Sequence, residues 1–255
     1  MHYKTEGIVL RETEYRDSDK LLTVLTKDYG KITLKARGVR RNSSTLKGAC
    51  QLLAYSEFTY QDYGGYFTVT EAECREMFQE LRSDIERISL AFYFAQVADA
   101  VSEEDYPNPS ILTLLLNSLY ALARLQKPQT LVKTVFEWRM ACMAGYTPDL
   151  SGCAVCGNGF PDRFDVSNGV LLCFGCAAPS DGIRMPIRTA SLAALRYLIS
   201  CGEKKIFSFS LGSEACGELS SLSETYLMTQ LERSFSTLEL YKSLFYHPAS
   251  NGECL

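Results

Sequence analysis

Residues 20 to 37 read Lys20-Leu21-Leu22-Thr23-Val24-Leu25-Thr26-Lys27, then Asp28-Tyr29-Gly30, then Lys31-Ile32-Thr33-Leu34-Lys35-Ala36-Arg37. Two runs rich in apolar and β-branched residues flank a short turn that ends in glycine, which is the pattern of an antiparallel hairpin. Side chains alternate along a strand, so Ile32, Leu34 and Ala36 share one face while Lys31, Thr33, Lys35 and Arg37 share the other. The first face predicts a core, and the second predicts a solvent-facing row of cations. Working outward, Glu6 to Glu14, Leu53 to Tyr60 and Tyr66 to Glu73 read as further strands, with a second turn at Tyr63-Gly64-Gly65. Five strands in about 75 residues fit a small closed barrel; strand count alone does not separate an OB-fold from an SH3-like barrel.

From about residue 80 the apolar period becomes helical. Ser83 with Glu86 three residues later reads as a capping box. The helix it opens is apolar on two rows, Ile85, Ile88 and Phe92 and then Leu90, Phe94, Val97 and Val101, so it should be buried. Asn108-Pro109 starts a second helix and Pro128 a third, which stops near Gly145 and Pro148. Thr189 is expected to cap a helix that ends near Gly202, and a longer amphipathic segment runs from about Ser213 to Phe245. These helices are expected to share one core.

Between them lie two Cys-x-x-Cys knuckles, Cys153-Ala154-Val155-Cys156 and Cys173-Phe174-Gly175-Cys176, sixteen residues apart. Each knuckle aims two sulfurs at one centre, and a short hairpin between them would bring the pairs together as a tetrahedral site for one structural Zn2+. A disulfide reading needs an oxidising compartment. Met1 to Gly7 lacks the features of a secretory signal and no apolar run reaches the length of a membrane span, so a reducing, cytoplasmic setting is expected. A redox pair gives no reason for a second knuckle at matched spacing. The other cysteines, Cys50, Cys74, Cys142, Cys201, Cys216 and Cys254, are scattered and read as buried reduced thiols. Four thiolates around a dication keep a net charge of about minus two, which makes the ribbon a clasp rather than a phosphate grip.

The formal net charge of the chain is −4. Residues 1 to 50 nevertheless hold eleven Lys or Arg against six Asp or Glu, a net of plus five, which leaves minus nine for the remainder. A basic module on an acidic body points to polyanion binding at one end. The cations concentrate in Lys31, Lys35 and Arg37 of the strand, then Arg40, Arg41 and Lys47 on a loop with Asn42-Ser43-Ser44-Thr45, whose hydroxyls and amides also suit phosphate. Tyr3, Tyr15, Tyr29, Tyr55, Tyr60, Tyr63 and Tyr66 offer ring faces, of which one or two are expected to stack on unpaired bases. Nothing reads as a recognition helix, so binding should be sequence-tolerant. Neutralising about five phosphates gives an expected log-log salt slope of roughly −3 to −4 on a single strand. Enzyme chemistry is poorly served: the histidines are His2 and His247, near the termini, and there is no Gly-rich phosphate loop with lysine.

The order of basic barrel, helices, four-cysteine ribbon and helices resembles the bacterial RecO family of recombination mediators. The resemblance rests on Thr5-Glu6-Gly7-Ile8-Val9-Leu10, on Thr26-Lys27-Asp28-Tyr29-Gly30-Lys31 leading into Lys35-Ala36-Arg37-Gly38-Val39-Arg40-Arg41, and on Gly145-Tyr146-Thr147-Pro148-Asp149-Leu150 before the first knuckle. It implies an α+β fold: an N-terminal five-stranded OB-fold β-barrel (1–80), a helical domain in two parts (81–150 and 183–247), an inserted zinc ribbon (151–182) and a flexible C-terminus (248–255). It implies a non-enzymatic DNA repair factor that binds single- and double-stranded DNA, anneals complementary strands and helps load recombinase. The implied partners are RecR and the acidic C-terminal tail of single-strand-binding protein, in the bacterial cytoplasm and at the nucleoid during repair. For that tail the available cations beside apolar helices are Arg124, Lys127, Lys133 and Arg139. The competing readings are a protein-interaction scaffold whose barrel docks an acidic tail, and an RNA-binding accessory factor.

Overall fold

Alternation builds the expected hairpin. In the computed structural model, which describes residues 2–125, 127–177 and 182–245, β1 (His2–Tyr15) is followed by β2 (Asp19–Thr26) and β3 (Gly30–Ala36). Leu22 lies opposite Leu34 and Val24 opposite Ile32, so one apolar face runs unbroken across the hairpin. Thr26 fixes the turn by accepting from the Tyr29 N–H and donating to the Gly30 carbonyl. Gly30 has φ +69°, and a Cβ there would also meet the backbone of Tyr106. Glycine is required on both counts.

With β4 (Tyr55–Tyr63) and β5 (Tyr66–Glu76) the sheet closes in the order β1-β2-β3-β5-β4, with β1 returning to pair with β4. The β3 to β5 pairing is parallel and the rest antiparallel. A five-stranded closed barrel in this order is the OB topology. The long β1 serves both neighbours because its register shifts between Val9 and Arg11, the kind of irregularity that bends a strand round a barrel corner. Val9, Leu22, Val24, Leu34 and Phe58 are fully buried in the interior, each contributing about 1.5–3 kcal/mol of apolar burial.

The chain divides into two compact units, Met1–Leu112 with Phe235–Leu255, and Thr113–Ser234. In the first, a short helix α1 (Gln79–Arg82) precedes α2 (Ile85–Val101). The cap of α2 is Asp84, not Ser83: the Asp84 carboxylate accepts from the N–H groups of Glu86 and Arg87, while the Ser83 hydroxyl turns back to the Glu80 carbonyl of α1. The carboxylate is the stronger acceptor, and α1 occupies the serine. Helix α2 is buried along most of its length against α1, β1 and α7 (Ser236–Phe245), although Ile85 is exposed. The segment expected as one amphipathic run from Ser213 is therefore two helices. Glu232 adopts φ 50° and ends α6 (Ser213–Leu231) in a left-handed cap, and α7 belongs with the barrel unit.

The boundary between the units falls within α3 (Pro109–Arg124). The second unit holds α4 (Gln129–Met143), α5 (Thr189–Ser200) and α6, which pack on one another. Thr189 is the first residue of α5 rather than its cap; Arg188 takes the cap position, its N–H donating to Glu218. The ribbon is a four-stranded sheet in the order β6-β8-β7-β9, from β6 (Asp149–Cys153), β7 (Arg163–Asp165), β8 (Val170–Leu172) and β9 (Arg184–Pro186), so it extends past residue 182. Phe164 of β7 ties the sheet to the helices, meeting Trp138 of α4 and Tyr226 of α6 edge-on at 5.7 and 5.4 Å, while those two rings stack at 5.1 Å. No helix of the described residues is long and apolar enough to cross a membrane. Residues 248–255, expected as a flexible C-terminus, lie outside the described residues.

Candidate nucleic-acid interface and metal centre

The two knuckles converge. The Sγ atoms of Cys153, Cys156, Cys173 and Cys176 lie within 4.8 Å of one another. Cys156 Sγ and Cys173 Sγ are 3.8 Å apart, the edge expected for sulfurs about 2.3 Å from a tetrahedral ion. The loops are built for this. Gly157, at φ +73°, donates its N–H to the Cys153 carbonyl, and the Cys176 N–H donates to the Cys173 carbonyl. Backbone N–H groups of Cys156, Val155 and Cys173 point at Cys153 and hold its thiol down at about 6. As free thiols, Cys176 and Cys173 resist a second charge: Cys176 is pushed up to about 12, first by its hydrogen bond with Cys156, then by burial and Cys153. Asn158 donates to Cys173 and lowers it, but burial and the Cys156 and Cys153 sulfurs outweigh this and leave it raised. A dication reverses that repulsion, so the donor set fits a thiolate-bound metal ion. Elsewhere Cys50 and Cys216 are buried, whereas Cys74, Cys142 and Cys201 are only half-buried. Cys254 lies outside the described residues. Burial pushes the Cys50 thiol up to about 12.

The predicted row of strand cations is not a free row. Lys35 does leave the barrel on the outer face, but it is only 6% exposed, paired with Asp19 Oδ2 at 3.5 Å and set 4.8 Å from the Tyr15 ring centroid. Lys31 bonds both the side chain and the carbonyl of Asp99, at 3.2 and 2.7 Å. Both are consumed within the fold, by carboxylates on β2 and α2. Arg37 is exposed, its guanidinium 4.5 Å from the Tyr63 ring centroid.

Arg40, Arg41 and Lys47 are exposed on the loop after β3. Asp19 also accepts from the Gly38 N–H at 2.8 Å, and Arg40 N–H bonds the Ser18 carbonyl, so the β1–β2 turn anchors this loop. The Gly38 N–H, followed by Lys35, holds the Asp19 carboxyl below its ordinary value. Arg40 meets Glu14 at 3.1 Å. It lines a cleft of about 500 Å³ with Lys47, Lys20, Arg82 and Phe92. The sequence reading also passed over Arg16, exposed in the β1–β2 turn next to this loop, with its guanidinium 5.2 Å from the Tyr15 ring centroid. Its only signal was its place beside the Asp17-Ser18 turn.

The four cations considered for a partner tail have different fates. Lys133 is buried, held by Glu137 at 3.0 Å and Glu224 at 2.9 Å, and is not available. Arg139 caps α5, donating to the carbonyls of Leu198, Ile199 and Cys201. Arg124 is exposed beside Tyr120. Lys127 lines an apolar cleft of about 450 Å³ with Pro128, Leu131, Leu211 and Cys216, at the first turns of α4 and α6.

Taken together these features define an OB-barrel protein with a cation-bearing rim and a four-thiol centre set among helices. The chain belongs to the recombination protein O (RecO) family, a family of DNA repair and recombination proteins. Residues 1–78 match the family model described as recombination protein O N terminal, and residues 82–239 the one described as recombination protein O C terminal. A DNA repair protein RecO of Acetivibrio thermocellus is 32% identical over 247 residues, covering 96% of this chain and 98% of the relative. That of Alkaliphilus metalliredigens is 31% identical over 248 residues, 96% and 100% of the two chains. That of Listeria monocytogenes is 35% identical over 175 residues, 68% of each.

Proposed function

We propose that this chain is a recombination mediator that binds single- and double-stranded DNA through its barrel (1–80), anneals complementary strands and, with RecR, helps load recombinase onto strands coated by single-strand-binding protein. The observation that carries the proposal is the exposed set Arg37, Arg40, Arg41 and Lys47 at the rim of an OB barrel, joined by Arg16. Lys31 and Lys35 serve that surface indirectly, by fixing β3 to α2 and to the β1–β2 turn.

Annealing suits such a surface. Two strands approaching one another repel through their phosphates, and cations on a loop and turn lower that repulsion without gripping base edges. The edges stay free to pair. The work is binding and positioning rather than bond-breaking, at the nucleoid within the cytoplasm.

The four cysteines would hold one structural Zn2+ as a closed thiolate set with no open position for water. When bound, the ion supplies folding energy to the ribbon, whose sheet runs from β6 to β9 between α4 and α5. For the acidic tail of single-strand-binding protein, the cleft beside Lys127 is the best match. It offers apolar walls for the tail's last side chains, an ammonium, and the N–H-bearing first turns of α4 and α6 for a carboxylate.

The test is strand annealing by the Arg40→Glu/Arg41→Glu variant. Charge reversal should abolish annealing of bare complementary oligonucleotides while the fold remains. Full annealing by the variant would favour the protein-scaffold reading instead.

A further inference from the structure

The β4–β5 hairpin ends in two rings that the barrel does not use. Tyr63 and Tyr66 are 59% and 56% exposed. They face one another in register across the hairpin, and directly opposed residues of an antiparallel pair project to the same face. Gly64 and Gly65 connect them at φ +63° and +81°, the tight two-residue turn that only residues tolerant of positive φ supply. The Gly65 N–H donates to Asp62 at 3.2 Å. Both rings thus stand side by side at the end of a short ribbon.

The same face carries a cation. Lys35 lies in register with Thr68 across the parallel β3–β5 pairing, and Arg37, two residues on, reaches over Tyr63 with its guanidinium 4.5 Å from the ring centroid. A guanidinium on a tyrosine presents a flat, positively charged surface on which a nucleobase can stack in turn. Beyond the buried Lys35 the pattern repeats, with the exposed Arg16 guanidinium 5.2 Å from the Tyr15 ring centroid. Cations and rings therefore alternate along this side of the barrel, whereas the Arg40–Lys47 loop offers cations alone.

We propose that Tyr63, Tyr66 and Arg37 form a stacking platform for unpaired bases of single-stranded DNA, which gives the barrel a preference for single strands over duplex that its phosphate contacts do not provide. This rests on the DNA-binding reading above and deepens it. Duplex bases are already stacked and offer no free face, so the platform acts on unpaired strands only. It holds a base by its π-face and leaves the pairing edge exposed, as annealing needs. Every base has a π-face, so the contact is sequence-tolerant.

The test is fluorescence anisotropy with the full-length chain, using labelled oligo(dT), an abasic oligomer of the same length and a blunt duplex. Tyr63→Ala/Tyr66→Ala should lose about ten- to a hundredfold in oligo(dT) affinity, with unchanged duplex affinity and unchanged salt slope. Tyr63→Phe/Tyr66→Phe should bind as the parent does, because it keeps both rings. The parent should bind the abasic oligomer no better than the alanine variant does. Native oligo(dT) affinity in the alanine variant, or an equal loss on duplex, overturns the platform. Arg40→Glu/Arg41→Glu measured alongside separates the two readings. If it loses affinity for every ligand while the alanine variant loses none, the platform fails and the electrostatic surface stands. If it binds as the parent does, the electrostatic reading itself fails.

Discussion

Two pairs of cations that look alike in sequence should behave in opposite ways when neutralised. The exposed cations of the β1–β2 turn and of the segment after β3, namely Arg16, Arg37, Arg40, Arg41 and Lys47, make up the surface proposed to meet phosphates. At about 0.7 counterions released per phosphate contact on a single strand, they set a log-log slope near −3.5. Arg40→Gln/Arg41→Gln removes two contacts and should bring the slope to about −2.1 with little effect on stability, because the Arg40–Glu14 pair is a surface one. Lys31→Gln/Lys35→Gln removes the same formal charge but should leave the slope near −3.5. It strips Asp19 and Asp99 of buried or half-buried partners. Breaking the Lys35–Asp19 pair alone should cost about 3 kcal/mol, the low end for a buried pair. That corresponds to a fall in Tm on the order of 10 °C. The assay is anisotropy with oligo(dT) at several salt concentrations, paired with thermal unfolding. A slope lowered by the lysine substitutions and untouched by the arginine ones would refute the assignment of which cations face the DNA.

Cys173→Ser should purify with far less than one zinc per chain by elemental analysis and lose the order of the ribbon sheet, since structural sites supply roughly 10–16 kcal/mol of apparent binding energy. Retention of one zinc per chain by the variant would show that the four-thiol centre is not the site. Asp19 carries an acid-stability prediction. Its folded carboxyl sits below its ordinary value of 3.8, first through the Gly38 N–H and then through Lys35, so its contribution is present in full above that value and is lost as pH falls through the folded one. Asp19→Asn should therefore melt earlier than the parent at pH 7, and the difference in Tm should shrink as the pH drops below about 4. A difference that stays constant with pH would rule out the carboxylate as its source.

The barrel was legible because its signal is local. The alternation of Leu22, Val24, Ile32 and Leu34, and the turns at Gly30 and Gly64-Gly65, are read within a few residues, and the resulting strands pair as the pattern implies. The cysteine site was legible for the same reason, since its four ligands come as two short knuckles. Misreadings arose where a distant residue decided the outcome. Lys31 is claimed by Asp99, sixty-eight residues on, and Lys133 by Glu224 as well as by its own helix neighbour Glu137. The break at Glu232 carries no glycine or proline to announce it, because a glutamate takes the left-handed position. Tyrosines pose a different problem on the barrel. Tyr60 and Tyr63 stand three residues apart on one strand, so alternation sends the first into the core and the second to solvent, but composition alone groups them together.

The central claim is that this chain brings complementary strands together on DNA already covered by single-strand-binding protein. The direct measurement is annealing of two complementary strands, each coated with that protein, in its full-length form and in a form lacking the acidic C-terminal tail. The account predicts that the chain accelerates annealing on strands coated with the full-length protein and loses that acceleration when the tail is deleted. Acceleration indifferent to the tail, or none on either coated substrate, would contradict it.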